Sequence, residues 1–191
     1  CFDSLLNRAM DEIADLFGKY RLSEALMTVY KLFWDEFSSW YLEMIKPGYQ
    51  QPIDATTYEK TLSFFDDLLK LLHPFMPFIT EELFTNLQSK EETIMLSKWP
   101  EFTSEFDFEE DEKAIELMKE AIKNIRNIRA EMNVAPSKKA KVFVVSENED
   151  VRNIFEHGKV FFATLAYASE VVVQADKTGI DDDAVSTVIH N

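Results

Sequence analysis

The chain of 191 residues is poor in the residues that interrupt regular structure. It has four glycines and six prolines, so we expect few loops and long helices. Its single cysteine, Cys1, excludes an internal disulfide and fits a reducing compartment. No apolar run reaches the roughly 18–20 residues that a membrane span requires, and no basic and then apolar leader opens the sequence. We therefore expect a cytoplasmic protein that does not contact a membrane.

Glycine-rich phosphate loops and clusters of metal ligands are also missing. The four glycines are isolated from one another. His73, His157 and His190 lie far apart, and none of them pairs with a cysteine or an acid at ligand spacing. Cys1, alone at the terminus, is a poor candidate for a thiol nucleophile. The sequence predicts no catalytic residue, no metal site and no cofactor within this chain.

The composition is that of a globular domain with a strongly acidic surface. Hydrophobic residues make up 46% of the chain and aromatic residues 13%, which is enough for one good core. The 35 acidic and 20 basic residues give a formal charge of −15. That charge excludes a general affinity for nucleic acid, so any contact with a polyanion must be local. Because the chain starts without methionine and inside a helical pattern, we expect it to be part of a longer protein.

Apolar residues recur at the three- and four-residue spacing of helices over most of the first 136 residues. We expect helices over residues 2–17, 22–46, 54–73, 77–87 and 109–132. After residue 136 the pattern changes, and we expect strands over residues 141–145 and 169–173 with a helix over residues 149–166 between them. Apolar and polar residues also alternate over residues 184–189, which predicts a third strand. The predicted fold is mainly α, with an antiparallel helical bundle over residues 1–136. A small α+β subdomain over residues 137–191, truncated at its end, would follow.

One strip of positive charge contrasts with the acidic chain around it. The stretch IKNIRNIRAEMNVAPSKKAKVFV, residues 122–144, holds six basic residues and one acid. On a helical wheel, cations border the apolar face of the predicted fifth helix: Lys119, Lys123, Arg126 and Arg129. Two interpretations are open at this point. The cations neutralise phosphates of a nucleic acid, or they extend around the core and pair with acids of neighbouring helices.

The predicted second helix is rich in aromatic residues and has one apolar residue off its core-facing arc. The aromatic run from Phe33 to Tyr41 could stack on bases, although its helical spacing favours core packing. Leu42 projects about 60° or more outside the apolar arc when each residue turns the helix by about 100°. With Lys46 close by, Leu42 is a candidate for a contact with a partner, although an isolated exposed leucine is also common.

Three motifs carry a resemblance to a known enzyme family. They are WDEFSSWYLEMIKP at residues 34–47, LLHPFMPFITEEL at residues 71–83 and IRNIRAEMNVAP at residues 125–136. The motifs have the order and spacing of the anticodon-binding region of valyl-tRNA synthetases, which are class I enzymes. The sequence resembles that region over essentially the whole chain. The HPFMPF-type segment is shared in looser form by isoleucyl and leucyl enzymes. WYLEMIKP together with NIRAEMNVAP is more particular to the valyl family.

The resemblance implies a helical-bundle domain that docks on the anticodon stem and loop of tRNA(Val). Valine activation and transfer, with ATP and magnesium, would belong to the remaining synthetase domains in cis, since the HIGH and KMSKS signatures are absent from this sequence. The enzyme would be a cytoplasmic monomer. Leu42 matches a family position that faces the anticodon loop, and Lys46 lies beside it. The resemblance assigns no contact to the cations of the fifth helix, so their role in binding rests on the charge pattern only.

Two alternatives stay open. The domain could belong to a related isoleucyl or leucyl synthetase. The gene upstream, which encodes the amino-acid pocket, would decide between these enzymes. It could instead be an acidic helical module that recruits a basic protein and never touches RNA, which a titration with valine tRNA would decide.

Overall fold

A computed structural model describes residues 2–87, 92–106 and 108–189. Cys1 and His190, considered above as candidate reactive residues, lie outside these ranges. The chain forms two compact units, Cys1–Phe108 and Glu109–Asn191. Within the described ranges, no helix is both long and apolar enough to cross a membrane. The division after residue 136 that we expect from the sequence stays a prediction.

The N-terminal unit is helical. Helix α1 spans Phe2–Gly18, and α2 spans Leu22–Lys31. The chain continues without a break into a π-helical segment, Leu32–Tyr41, and then into the short helix α3, Leu42–Ile45. Helix α4 spans Ala55–Leu72 and α5 spans Pro77–Leu87. Two single 3₁₀ turns follow, Ile94–Leu96 and Ser104–Phe106.

The core of this unit consists of one apolar face from each long helix. Their apolar residues recur every three or four positions, so they line one side of each helix and are removed from water together. The most deeply buried side chains include Ile13, Val29, Leu68 and Leu71. The segment just before the second 3₁₀ turn is tied to α1, because Asn7 donates from Nδ2 to the Thr103 carbonyl at 2.7 Å.

The π-helical segment corrects one sequence prediction. Here the backbone bonds run five residues back, as the amide of Leu42 donates to the Phe37 carbonyl. The hydroxyl of Ser38 likewise donates to the Phe33 carbonyl at 2.9 Å. Each turn therefore holds more residues than an α-turn, and a wheel drawn at α-helical pitch misplaces the residues that follow. Leu42 is partly buried and packs against the core, so its predicted position outside the apolar arc is wrong.

The corner between α4 and α5 is built by the second motif. His73 ends α4, and its Nδ1 lies 2.7 Å from Oγ1 of Thr80, which is fully buried in the next helix. Glu81 accepts hydrogen bonds from the Thr93 hydroxyl at 2.9 Å and from the Ile94 amide at 3.2 Å. These bonds satisfy polar groups at the corner, so much of this motif has a structural role.

The C-terminal unit joins a long helix to a small parallel sheet. Helix α6 spans Glu109–Glu131, β1 spans Ala140–Val145, α7 spans Glu149–Leu165 and β2 spans Ala168–Gln174. The strands pair in parallel with Val142 opposite Val171, so α7 is the crossover between them. Helices α6 and α7 approach closely at Gly158, where a Cβ atom would lie 2.1 Å from the sulfur of Met118. The predicted mainly α fold with a small α+β part is confirmed.

The predicted third strand at residues 184–189 is wrong. These residues have no regular structure, and Val185 and Val188 are exposed. Alternation of apolar residues indicates which sides would be buried, but a strand also needs a neighbouring backbone to pair with.

The end of α6 is closed by residues of the third motif. Asn133 adopts a positive φ of 54°, which asparagine tolerates better than most residues. The amide of Val134 bonds the Arg129 carbonyl at 2.8 Å, and the amide of Asn133 bonds the Ala130 carbonyl at 3.0 Å, which is the Schellman pattern. The Nη2 group of Arg129 then donates to the carbonyls of Ala135 (3.0 Å) and Lys138. Arg129 thereby fixes the path of the chain between α6 and β1.

Replacing Arg129 with lysine tests this role. Lysine keeps the charge but has no planar fork of donors for two carbonyls. We expect Arg129→Lys to lower the free energy of unfolding by about 1.5–3 kcal/mol in urea denaturation. The control Lys123→Gln, on the same helix but exposed, should change it by less than about 0.5 kcal/mol. Equal effects of the two changes would contradict the role of Arg129.

Asp67 is a partly buried carboxyl on α4. Burial raises the pKa of Asp67 to about 6 from its ordinary value of 3.8, and the nearby Lys70 opposes that shift. Lys70 itself is paired with Asp66 at 2.6 Å. Between pH 3.8 and 6 the folded state keeps a proton that the unfolded state has lost. The contribution of Asp67 to stability therefore falls as the pH rises through this window.

An Asp67→Asn variant should remove this pH-dependent penalty. At pH 7.5 we expect it to be more stable than the parent chain by about 1 kcal/mol, since water screens part of the effect at a partly exposed group. Near pH 3.5 the difference should be close to zero. Urea unfolding at several pH values measures both quantities. The matched change Asp66→Asn should not stabilise, because it removes the partner of Lys70; a constant offset for Asp67→Asn at all pH values would refute the explanation.

Candidate functional site

The chain reverses direction between α3 and α4, and the reversal creates a surface groove. Helix α3 ends at Ile45 because Pro47 favours extended backbone at the residue before it, and Lys46 has a ψ of 120°. Gln51 then closes a tight turn on the Gly48 carbonyl at 2.9 Å. Helix α4 starts at the cap of Asp54, whose side chain accepts from the Thr57 amide at 2.9 Å. Local sequence signals therefore fix where α3 ends and where α4 begins.

The groove has a volume of about 290 Å³ and a mainly apolar lining. The structure brings the two predicted contact residues of this region, Leu42 and Lys46, together in its wall. The complete lining is Leu42, Glu43, Ile45, Lys46, Pro47, Ile53, Tyr58 and Thr61. The hydroxyl of Thr61, a lining residue, is 2.9 Å from that of Tyr41, which ties the end of the π-helical segment to α4.

The rim of the groove is polar. Lys46 extends into solvent with 66% of its side chain exposed, and its Nζ lies 3.3 Å from a carboxylate oxygen of Glu43. An exposed pair of this kind contributes little to stability, so both groups can exchange partners at low cost. The groove thus combines apolar walls with one cation and one anion at the surface.

The four predicted cations of α6 have different environments. Lys123 and Arg126 are exposed and lie three residues apart, so their side chains leave the same face of the helix. The Nζ of Lys123 lies 4.0 Å from Glu116. Arg126 donates from Nε to the Leu165 carbonyl at 2.6 Å, which ties α6 to the end of α7. These two residues present positive charge at the surface.

Lys119 and Arg129 are buried. Lys119 is 2% exposed and pairs with Glu116 at 3.3 Å, while Arg129 is 8% exposed. The guanidinium of Arg129 also lies 5.6 Å from the ring centre of Tyr167. Lys119 and Arg129 thus turn inward, but their described polar contacts are to Glu116 on the same helix and to backbone carbonyls, so they do not show the expected pairing with acids of neighbouring helices. Lys123 and Arg126 reach the surface.

The aromatic run of the second helix is mostly core. Phe37 and Trp40 are buried, as the helical spacing predicts. Trp34 is 59% exposed and stacks on Tyr30, which is 54% exposed, with ring centres 6.5 Å apart. The core interpretation is thus confirmed for Phe37 and Trp40, and Trp34 is the exception.

The histidines of the described ranges have local structural partners. His73 contacts Thr80, as described above, and the Nδ1 of His157 lies 2.7 Å from the Asn153 carbonyl. In the part of the chain that the structure covers, no group of three or more His, Cys, Asp or Glu residues is placed to hold a metal ion.

Sequence reasoning did not find Tyr58 or Ile53 as groove residues. Tyr58 lies seven residues before Phe65 on α4, which places the two at nearly the same angle around the helix. Phe65 packs against the core, whereas Tyr58 is 51% exposed because the first turn of α4 extends beyond that core. No local sequence signal separates these two positions.

Comparisons with known proteins agree with the motifs. A family model described as "Anticodon-binding domain of tRNA ligase" matches residues 2–144. A relative from Phocaeicola vulgatus named valine--tRNA ligase is 56% identical over 151 residues, covering 77% of this chain and 17% of the relative. One of the same name from Clostridium tetani is 44% identical over 188 residues, covering 97% of this chain and 21% of the relative.

A third relative named valine--tRNA ligase, from Parabacteroides distasonis, is 51% identical over 154 residues, covering 80% of this chain and 17% of the relative. The chain thus spans about a fifth of the length of the curated relatives it matches. The family model covers residues 2–144, well over half of the chain, and the chain belongs to the family of anticodon-binding domains of tRNA ligases.

Proposed function

We propose that this chain is the anticodon-binding domain of a valine--tRNA ligase and that it docks on the anticodon stem and loop of tRNA(Val). The names of its relatives support the choice of valine over isoleucine or leucine. Attachment of valine, with ATP and magnesium, would be carried out by the remaining synthetase domains in cis. The complete enzyme would be a cytoplasmic monomer. Residues 1–136 would form the RNA-binding bundle, and residues 137–191 a separate small subdomain.

The groove beside Leu42 is the observation that carries this proposal. Proteins read RNA sequence mostly in single-stranded loops, where unstacked bases can enter a pocket. The groove offers apolar walls for the face of a base, while Lys46 and Glu43 at the rim offer a donor and an acceptor for its edge. In this proposal Leu42 and Lys46 border the bases of the anticodon loop.

The cations of α6 would supply affinity without sequence information. Lys123 and Arg126 reach the surface and would contact phosphates directly. Lys119 and Arg129 are buried, so they would act through the positive potential that they add to this face of the helix. Against a net charge of −15, such a local positive face is what would allow RNA to approach.

The anticodon itself should control affinity. We expect the chain to bind the anticodon stem-loop of tRNA(Val) at least about tenfold more tightly than the same stem with a different anticodon, because unpaired bases carry the information. Fluorescence titration at low salt measures the ratio. Equal affinity for both RNAs would refute sequence reading, and failure to bind either RNA, together with capture of a basic protein, would favour the protein-interaction alternative.

Lys123 should contribute a phosphate contact. We expect Lys123→Gln to weaken RNA binding severalfold and to reduce the slope of log K against log salt by about 0.7–0.9, as the loss of one ion contact does. Lys113→Gln is the matched control, because it removes the same charge from the same helix at a side chain that is exposed and paired with Glu109 at 2.8 Å. An unchanged slope for Lys123→Gln, or the same reduction for both variants, would remove Lys123 from the interface.

A further inference from the structure

We propose that Tyr58 is a base-stacking residue of the groove and that the groove accepts one nucleobase of the RNA loop. This inference rests on the proposed function and adds a residue and a mode of contact to it. In this arrangement the ring of Tyr58 lies against the face of the base, and the aliphatic side chains of Leu42 and Ile53 complete the slot.

The size of the groove fits a single base. Its volume of about 290 Å³ lies just below the range for drug-sized ligand pockets, which begins at about 300 Å³. We expect one planar heterocycle to enter a space of this size. The remaining nucleotides of the loop would stay outside and reach the polar rim.

Tyr58 is placed to stack. It is the aromatic residue among those that line the groove, and half of its surface is exposed, whereas Phe64 on the same helix is packed in the core. A tyrosine ring offers a flat π-face to any base, and such stacking tolerates different base identities. Its position explains why an aromatic side chain is exposed in the first turn of an otherwise core-facing helix.

The backbone under Tyr58 is held in place before any ligand binds. Asp54 caps the helix, and the amide of Tyr58 donates to the Asp54 carbonyl at 3.0 Å. On the opposite wall, Leu42 packs against the core. A pre-formed slot loses less conformational freedom on binding than a flexible one, which favours affinity.

The polar rim favours a nucleotide over an apolar peptide side chain, because the Lys46–Glu43 pair, although neutral in sum, offers a donor and an acceptor that a nucleotide can use. Lys46 stands at the mouth of the groove with two thirds of its side chain in solvent. An ammonium group there can reach the phosphate attached to a base in the slot, which an inserted leucine or phenylalanine would not offer. Glu43 accepts hydrogen bonds, so it can bond an exocyclic amino group on the edge of the base.

A double-mutant cycle between protein and RNA tests the proposal. The 191-residue chain and its Tyr58→Ala and Tyr58→Phe variants are titrated with the anticodon stem-loop of tRNA(Val). The same titrations use RNAs in which each anticodon-loop nucleotide in turn, and each of two base-paired stem nucleotides in turn, is abasic. We expect Tyr58→Ala to weaken binding of the intact RNA by about 5- to 100-fold, and Tyr58→Phe by less than about twofold, because phenylalanine keeps the ring.

The decisive result is the coupling. One abasic position should weaken the parent chain about as much as Tyr58→Ala does, and the two changes together should cost little more than either alone. Tyr49→Ala is the matched control, since it removes a tyrosine that is 91% exposed in the neighbouring turn and outside the groove lining. It should leave binding unchanged. Circular dichroism and urea unfolding confirm that each variant is folded.

The outcomes separate the two proposals. Anticodon-dependent binding that Tyr58→Ala does not weaken, or weakens equally at every abasic position, overturns the stacking role and leaves the proposed function standing. Coupling only at a stem nucleotide overturns the single-base groove, because a paired base does not enter it. If the parent chain binds none of the RNAs at low salt, the proposed function and the groove proposal both fail.

Discussion

The arrangement of the N-terminal unit depends on the packing of Phe37, in the middle of the π-helical segment. Its ring lies 5.4 Å from that of Phe2 on α1 and 6.1 Å from that of Phe65 on α4. It also stacks on Tyr41, 5.6 Å away along its own segment. Rings at these separations gain from both area burial and ring geometry. One side chain therefore joins three helical elements.

The groove follows from that packing. Tyr41 packs on Phe37 and Phe2, and its hydroxyl meets Thr61 on α4. Leu42, the next residue, then turns partly toward the core and partly into the groove. The wider turns of the π-helical segment set the direction of the Leu42 side chain around the helix. Such segments often occur at functional sites. The wider π-helical turns make a helical wheel misplace Leu42, and the same turns place Leu42 in the wall of the groove.

Positive charge in this acidic protein has two uses. Arginine is suited to binding backbone carbonyls, because its charge is permanent and its donors form a planar fork. Arg129 uses that fork to hold the chain after α6, and Arg126 joins α6 to the end of α7 through one donor. Burial of such a group is tolerable only with hydrogen-bond partners of this kind. Lys123 instead lies near the Glu116 carboxylate at 4.0 Å, with more than half of its side chain in solvent, where it adds positive charge to the surface.

The sequence by itself determined the helical character, the strand pair after residue 136, the segregation of four cations to one flank of α6 and the family, because periodicity, turn residues and motifs are local properties of the chain. It also indicated Leu42 and Lys46 as neighbours in a candidate site. Only the tertiary structure decided that Lys119 and Arg129 are buried, that residues 184–189 remain unpaired and that Tyr58 is exposed beside Leu42. A helical wheel gives the direction of a side chain around its own helix. The exposure of that side chain depends on which other element covers it, and contacts between residues distant in sequence determine that.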